Sequence, residues 1–260
     1  MQLPLVLSIP HCSAALPEEL RSDMALSDRE IAESVDFGSR EIFTNVAAHH
    51  VIEAQWSRLV VDLNRSPTNQ SAKGIVALRD YHGRSVFKPG KAPSERQIEE
   101  RIRHYAEPYH QAIAAALQDA RVIGLIDCHS LNGVGPADAP DHGSLRRDIT
   151  LSNNGDGQGC LQTDGKPLTC PARTLQMASA AFEAQGFSVS LNHPYRGGHI
   201  THHYGGFLQS QNRFALQIEI NQDLYMERDA IIPDAERLRI ITLRVEQALV
   251  QWAIELTTHD

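Results

Sequence analysis

RVIGLIDCHS, residues 121–130, joins two kinds of sequence: an apolar, β-branched-rich run over 121–127 and a polar tail carrying Asp127, His129 and Ser130. The run is too short for a helix and predicts a buried strand whose carboxyl end bears chemistry. The same form recurs along the chain. Further candidate strands are 3–9 (LPLVLSI), 58–63 (RLVVDL), 148–152 (DITLS), 187–191 (FSVSL) and 213–220 (RFALQIEI), and helical patterns fill 37–49, 95–119, 171–185 and 233–256. In 95–119, Ile98, Ile102, Tyr105, Tyr109, Ile113 and Leu117 return at spacings of three and four, and Pro108 is expected to kink the helix. Ser27 and Glu30 form a capping-box pair ahead of an earlier turn. Short apolar runs alternating with helices predict an α/β fold, a three-layer mixed sheet with helices on both faces. No linker or repeat divides the chain, so residues 1–260 are expected to form one domain. The Gly-, Pro- and Asn-bearing stretches 64–94 and 131–170 read as long loops, the kind that wall pockets.

With 24 Lys+Arg against 32 Asp+Glu, the net charge is −8, and no basic cluster offers a footprint for nucleic acid or an anionic membrane. No apolar stretch approaches the roughly 18 residues of a transmembrane helix. The opening LPLVLSIP lacks a basic flank and is broken by Pro4 and Pro10, unlike a secretory leader, so a cytoplasmic protein is expected. Cys12, Cys128, Cys160 and Cys170 form no CxxC pair; Cys160 and Cys170 share a loop, either as thiols or as a disulfide. A small-molecule partner is the remaining expectation.

Polar residues close five of the six candidate strands: His11 after the first, Asp62, Asn64 and Arg65 after the second, Asp127, His129 and Ser130 after the third, His193 after the fifth and Glu219 near the end of the sixth. In an open α/β sheet ligands bind at the carboxyl edge, where such residues converge. Two histidines from separate strand ends plus a carboxylate make a catalytic zinc site with a position open for water. His11 and His129 are the histidine candidates. Asp36 is the candidate carboxylate; just ahead of a helical pattern, it is either a ligand or a helix N-cap. Glu219, on an apolar strand, is either ion-paired or a general base beside the metal. Arg65 with Asn64 suits a substrate carboxylate, because the planar guanidinium matches two oxygens, although pairing with Asp62 is the structural alternative. The segment 192–206 (NHPYRGGHITHHYGG) adds Arg196, His199, His202 and His203 among glycines, with Arg196 or His203 a candidate for a second, distal substrate group.

SIPHCSAALP, the DF of ESVDFGSRE, RLVVDLNRSP, PYHQAI, LIDCHS, NHPYRGGHITHHYG and LQIEINQDLYM, in this order over roughly residues 5 to 226, resemble successive blocks of the N-formylglutamate amidohydrolase family. VDLNR, DCHS and the strand glutamate are also similar to elements of zinc carboxypeptidases and aspartoacylase-like deacylases, which implies a phosphorylase/hydrolase-like fold. The resemblance implies His11, Asp36 and His129 as ligands of Zn2+, Glu219 as general base and Arg65 as carboxylate clamp. It also implies hydrolysis of the amide of an N-formyl or other N-acyl amino acid bearing carboxylates. The sequence departs from the peptidases in carrying Ala14, not an acid, three residues after His11. The alternatives are a deacylase or carboxypeptidase-like hydrolase on another amide, and a metal- or ligand-binding relative without turnover.

Overall fold

A computed structural model describes residues 2–137, 139–227 and 230–258. The first strand, β1 (Leu3–Ile9), is buried along almost its whole length and lies between two parallel neighbours, β2 (Ala48–Glu53) and β3 (Gly124–Leu131). β3 pairs in turn with β6 (Phe214–Asn221) in parallel over eight residues, and β4 (Ile149–Ser152) runs antiparallel to β6 and parallel to β5 (Val189–Leu191). The order is β2-β1-β3-β6-β4-β5, a mixed sheet. Every residue of β3 and β6 is buried, as expected of central strands covered on both faces.

The nearby helices are α1 (Glu18–Arg21), α2 (Asp28–Ala32) and α3 (Ser39–Thr44), followed by α4 (Glu95–Arg101), α5 (Glu107–Ala116), α6 (Ala172–Ala184), α7 (His199–Gln209) and α8 (Ala235–Thr258). α5 packs on β1 and β2 and α7 on β3 and β6; α3 packs on β1, β2 and β3, α6 on β4 and β5, and both α3 and α6 pack on α8. The expected helix 95–119 is α4 and α5 joined by a π turn at Ile102–Ala106. Pro108 cannot donate to the carbonyl four residues back, and the wider turn in front of it absorbs the mismatch instead of a sharp kink. Ser27 and Glu30 do form a reciprocal capping box at α2.

Three expectations need correction. Residues 58–63 are not a strand but a chain of turns: the Val60 N–H donates to the Ser57 carbonyl and Ser57 Oγ takes the Leu59 N–H. Their apolar side chains are buried, so the run is hydrophobic for packing and not for pairing. The missing strand is β2, AHHVIE, whose first residues lie in the pattern expected as helix 37–49; only Ser39–Thr44 of that stretch is helical. As a sheet edge, β2 keeps His49, His50 and Glu53 partly accessible, and this polarity hid its strand character. α7 was also absent from the expected helices because Gly205 and Gly206 weaken its pattern. At Gly205 a Cβ would come within 2.5 Å of the Thr169 side chain, so close approach requires glycine. The four cysteines are free thiols.

Candidate active site

The carboxyl ends of β1 and β3 deliver His11 and His129 to one place, their ring centroids 4.9 Å apart and both side chains buried. Asp36 arrives from the turn before α3, held there by its backbone N–H on the His11 carbonyl. Its Oδ2 lies 2.8 Å from His129 Nδ1 and 3.5 Å from His11 Nδ1. One ligand atom from each of the three residues falls within 4.8 Å of the others. Asp36 is thus placed as the sequence suggested for a ligand, although its carbonyl also receives the Ser39 N–H at the start of α3.

Behind the imidazoles stands a second tier. His11 Nε2 meets Asp62 Oδ1 at 2.7 Å, and Asp62 is paired through Oδ2 with Arg58 at 2.7 Å. Asp127 Oδ1 lies 3.0 Å from His129 Nε2, an ion-pair contact outside hydrogen-bond alignment. Asn64 Nδ2 donates to Asp127 Oδ2 and lies 2.9 Å from His129 Nε2, while Asn64 Oδ1 accepts the Ile200 N–H. Gly198 permits this contact: a Cβ there would sit 2.2 Å from Asn64 Nδ2. Such partners on the far ring nitrogen fix imidazole orientation in metal sites.

The carboxylates and imidazoles shift one another's protonation. Burial pushes Asp36 up, but His11 and His129 more than offset it and leave the carboxyl well below its usual range. Asp62 is likewise held far down, burial being outweighed first by Arg58 and then by His11. His129 is driven well above the usual imidazole range because Asp127 and Asp36 outweigh burial. Glu219, from the end of β6 and opposite His129 in the strand register, is pushed up to about 8, chiefly by burial. Its Oε1 accepts from Gln217 Nε2 at 2.9 Å.

Does this donor set fit a metal? His11 Nδ1 is buried without a hydrogen-bond partner, its ring oriented from behind by Asp62. A buried ring nitrogen that makes no hydrogen bond is costly unless it binds something, and imidazole with carboxylate suits a zinc-type ion. The residues fit.

These groups open into a cavity of about 280 Å³. Its walls include Asp36, Arg58, Asn64, Arg65, His129 and Glu219, together with Tyr81, Arg146 and Tyr195. The long loops expected as pocket walls supply Lys73, Tyr81 and Arg146. Arg65 makes no ion pair among the described residues; its Nη1 donates to the Asn64 carbonyl at 3.3 Å. Arg196 is exposed and does not line the cavity, although its neighbours Tyr195 and Gly197 do. His203 is exposed on α7 and His199 half-buried beside it, also outside the cavity. Burial holds His199 down at about 4. Sequence reasoning did not single out Arg58 and Arg146. Arg58 opens the run expected as a strand, and its i,i+4 spacing from Asp62 is the available signal. Arg146 lies in the long loop, paired with Asp141 at 2.7 Å, and no spacing marks it.

A buried His–Asp–His group able to hold a metal ion, set at the carboxyl edge of a mixed α/β sheet, is what the fold and the donor set define. The model of the N-formylglutamate amidohydrolase family matches residues 3–226. The chain belongs to that family and is an amidohydrolase acting on a C–N bond. It is 31% identical to the N-formylglutamate deformylase of Pseudomonas aeruginosa, with 98% of this chain and 95% of that protein covered. It is 27% identical to the N-formylglutamate deformylase of Pseudomonas putida over the same shares. The fold is similar to the crystal structure of an N-formylglutamate amidohydrolase from Ralstonia eutropha, with TM-score 0.76, 18% identity, and coverage of 100% of this chain and 96% of that one. No helix among the described residues is long and apolar enough to cross a membrane.

Proposed function

We propose that the chain, acting as one domain in the cytoplasm, hydrolyses the formyl amide of N-formylglutamate, with a zinc ion held by His11, Asp36 and His129 and with Glu219 as general base. The observation that carries this reading is the buried His11 Nδ1, which makes no hydrogen bond and faces Asp36 Oδ2 at 3.5 Å in the cavity that Glu219 also lines. The names of the relatives support the substrate. When bound, zinc supplies Lewis acidity toward the acyl carbonyl and brings water toward a neutral pKa.

The chain's own residues do the rest. Glu219, once ionised, removes a proton from water as its oxygen attacks the formyl carbon. Its burial makes it a stronger base than an exposed carboxylate and a competent acid afterwards. As the C–N bond breaks, the same proton passes to the leaving nitrogen, giving formate and the free amino acid. Arg65, its guanidinium anchored on the Asn64 carbonyl, offers a fork for a substrate carboxylate. Asn64 positions: its amide holds Asp127 and α7 in place around His129. Arg58, bridging Asp62 and Asp36, fixes both carboxylates against His11. The four free thiols are compatible with a reducing compartment.

The test is turnover of N-formyl-L-glutamate against N-acetyl-L-glutamate and N-formyl amino acids with neutral side chains, with and without chelator, alongside zinc content by elemental analysis. Preference for N-formyl-L-glutamate, loss with chelator and recovery with zinc are expected. Full activity after removal of all metal, or in Glu219→Gln, refutes the mechanism.

A further inference from the structure

α7 carries a second concentration of imidazoles that the catalytic reading does not use. His199 and His203 stand one helical turn apart, so both rings project from one face. Their centroids are 5.2 Å apart with planes inclined by 31°. Geometry gives that distance a meaning. With Zn–N near 2.1 Å, two imidazoles meeting at a tetrahedral angle place their centroids about 5 Å apart. The inner pair, His11 and His129, stands at 4.9 Å.

A third ring, His110 of α5, lies 5.8 Å from His199 and 6.3 Å from His203. Its Nε2 is 3.1 Å from the Leu63 carbonyl, which can only accept, so Nε2 carries the proton and Nδ1 the lone pair. Tyr204 Oη lies 3.1 Å from that Nδ1 and 3.1 Å from the His110 carbonyl, so both ring nitrogens of His110 already have partners. His110 is therefore held beside the pair by its own hydrogen bonds and leaves coordination to His199 and His203. His203 is exposed and gives access from solvent.

We propose that His199 and His203, with water in the remaining positions, form a second site for a divalent cation of the zinc, nickel and copper group, on the face of α7 that His110 adjoins. It is separate from the catalytic cavity, which none of the three rings lines. The two centres are joined through Asn64: the His199 backbone N–H donates to the Asn64 carbonyl, and Asn64 Nδ2 contacts His129.

Metal-stripped full-length protein, titrated with Zn2+ by equilibrium dialysis and elemental analysis, tests the assignment. Wild type is expected to take up two equivalents. His203→Ala should lose the weaker one, its Kd rising more than tenfold, while keeping the other. His11→Ala should keep the outer equivalent, so the outer site is read whether or not the inner one binds metal. His202→Gln, altering an exposed neighbour whose Nε2 faces the Arg196 carbonyl, should change neither. Circular dichroism checks folding, and His199→Gln gives the same reading should His203→Ala not fold. Uptake with the same number and affinities in wild type and His203→Ala overturns the proposal, as does equal loss in His202→Gln.

Discussion

Replacing Glu219 by Gln should make the metal-free protein more stable at alkaline pH while removing activity. Burial carries this carboxyl from its ordinary 4.5 to about 8. The folded state then holds a proton that the unfolded chain releases between those values. A group raised in this way contributes stability that is fully present below 4.5 and is lost as pH rises through 8. At about 1.4 kcal/mol per pH unit, the ceiling is about 5 kcal/mol. Relaxation and hydration of the cavity wall raise the effective dielectric, so we expect about 2–3 kcal/mol. The substituted glutamine keeps the shape, carries no charge at any pH, and can offer its amide to Gln217 Oε1, which is buried without a partner. Thermal melts of chelator-treated wild type and Glu219→Gln between pH 5 and 9 should therefore diverge. The variant should gain about 5–10 °C relative to wild type at pH 9 and little at pH 5. A difference in melting temperature that does not change across this range would refute the reasoning, because it would mean that Glu219 is ionised or solvated in the folded protein at every pH.

Arg65→Lys should raise KM for N-formyl-L-glutamate about tenfold or more with a smaller change in kcat, since a point charge replaces a bidentate fork; steady-state kinetics decide this. Asp62→Asn should weaken zinc binding about 10- to 100-fold by loosening His11, measured by competition with a chromogenic chelator, and an unchanged affinity would remove Asp62 from the supporting tier. Trp252→Ala should destabilise the protein by about 3–5 kcal/mol in urea unfolding, because the side chain is fully buried against Phe214 and its indole N–H is held by the Thr174 carbonyl.

The sheet was legible wherever burial on both faces wrote a continuous apolar run: β1, β3 and β6 stand where their sequences place them, within a few residues. Periodicity failed where a second demand competed with it. In 58–63 the apolar residues serve packing, while Ser57 and Asp62 use their side chains to close turns, as Asp62 Oδ1 does on the Asn64 N–H. At β2 an exposed edge demanded polar residues, and in α7 a close crossing demanded glycine.

The same competition explains what could be read of the site. His11, Asp36 and His129 could be named because each follows a strand end or opens a turn, a local feature that survives in sequence. Asp62, Asn64 and Asp127 carry the same strand-end mark, but the partner that each side chain holds does not survive in sequence. Asp62 reaches His11 across 51 residues of separation, Asp36 reaches His129 across 93, and Asn64 reaches the Ile200 N–H across 136. None of these pairs has a spacing, because spacing records only what one helix or one strand brings together. What joins them is the sheet order, which sets β1 beside β3 and β3 beside β6, and the turn 58–65, which reaches the carboxyl edge because it does not pair as a strand. A strand there would alternate Arg58, Asp62 and Asn64 on one face with Leu63 and Arg65 on the other. The turns instead bring Arg58, Asp62, Asn64 and Arg65 all to the cavity wall. The mistaken strand and the convergence of these four residues thus have one cause, and the departure from regular structure is what brings four polar side chains together at the edge of the sheet.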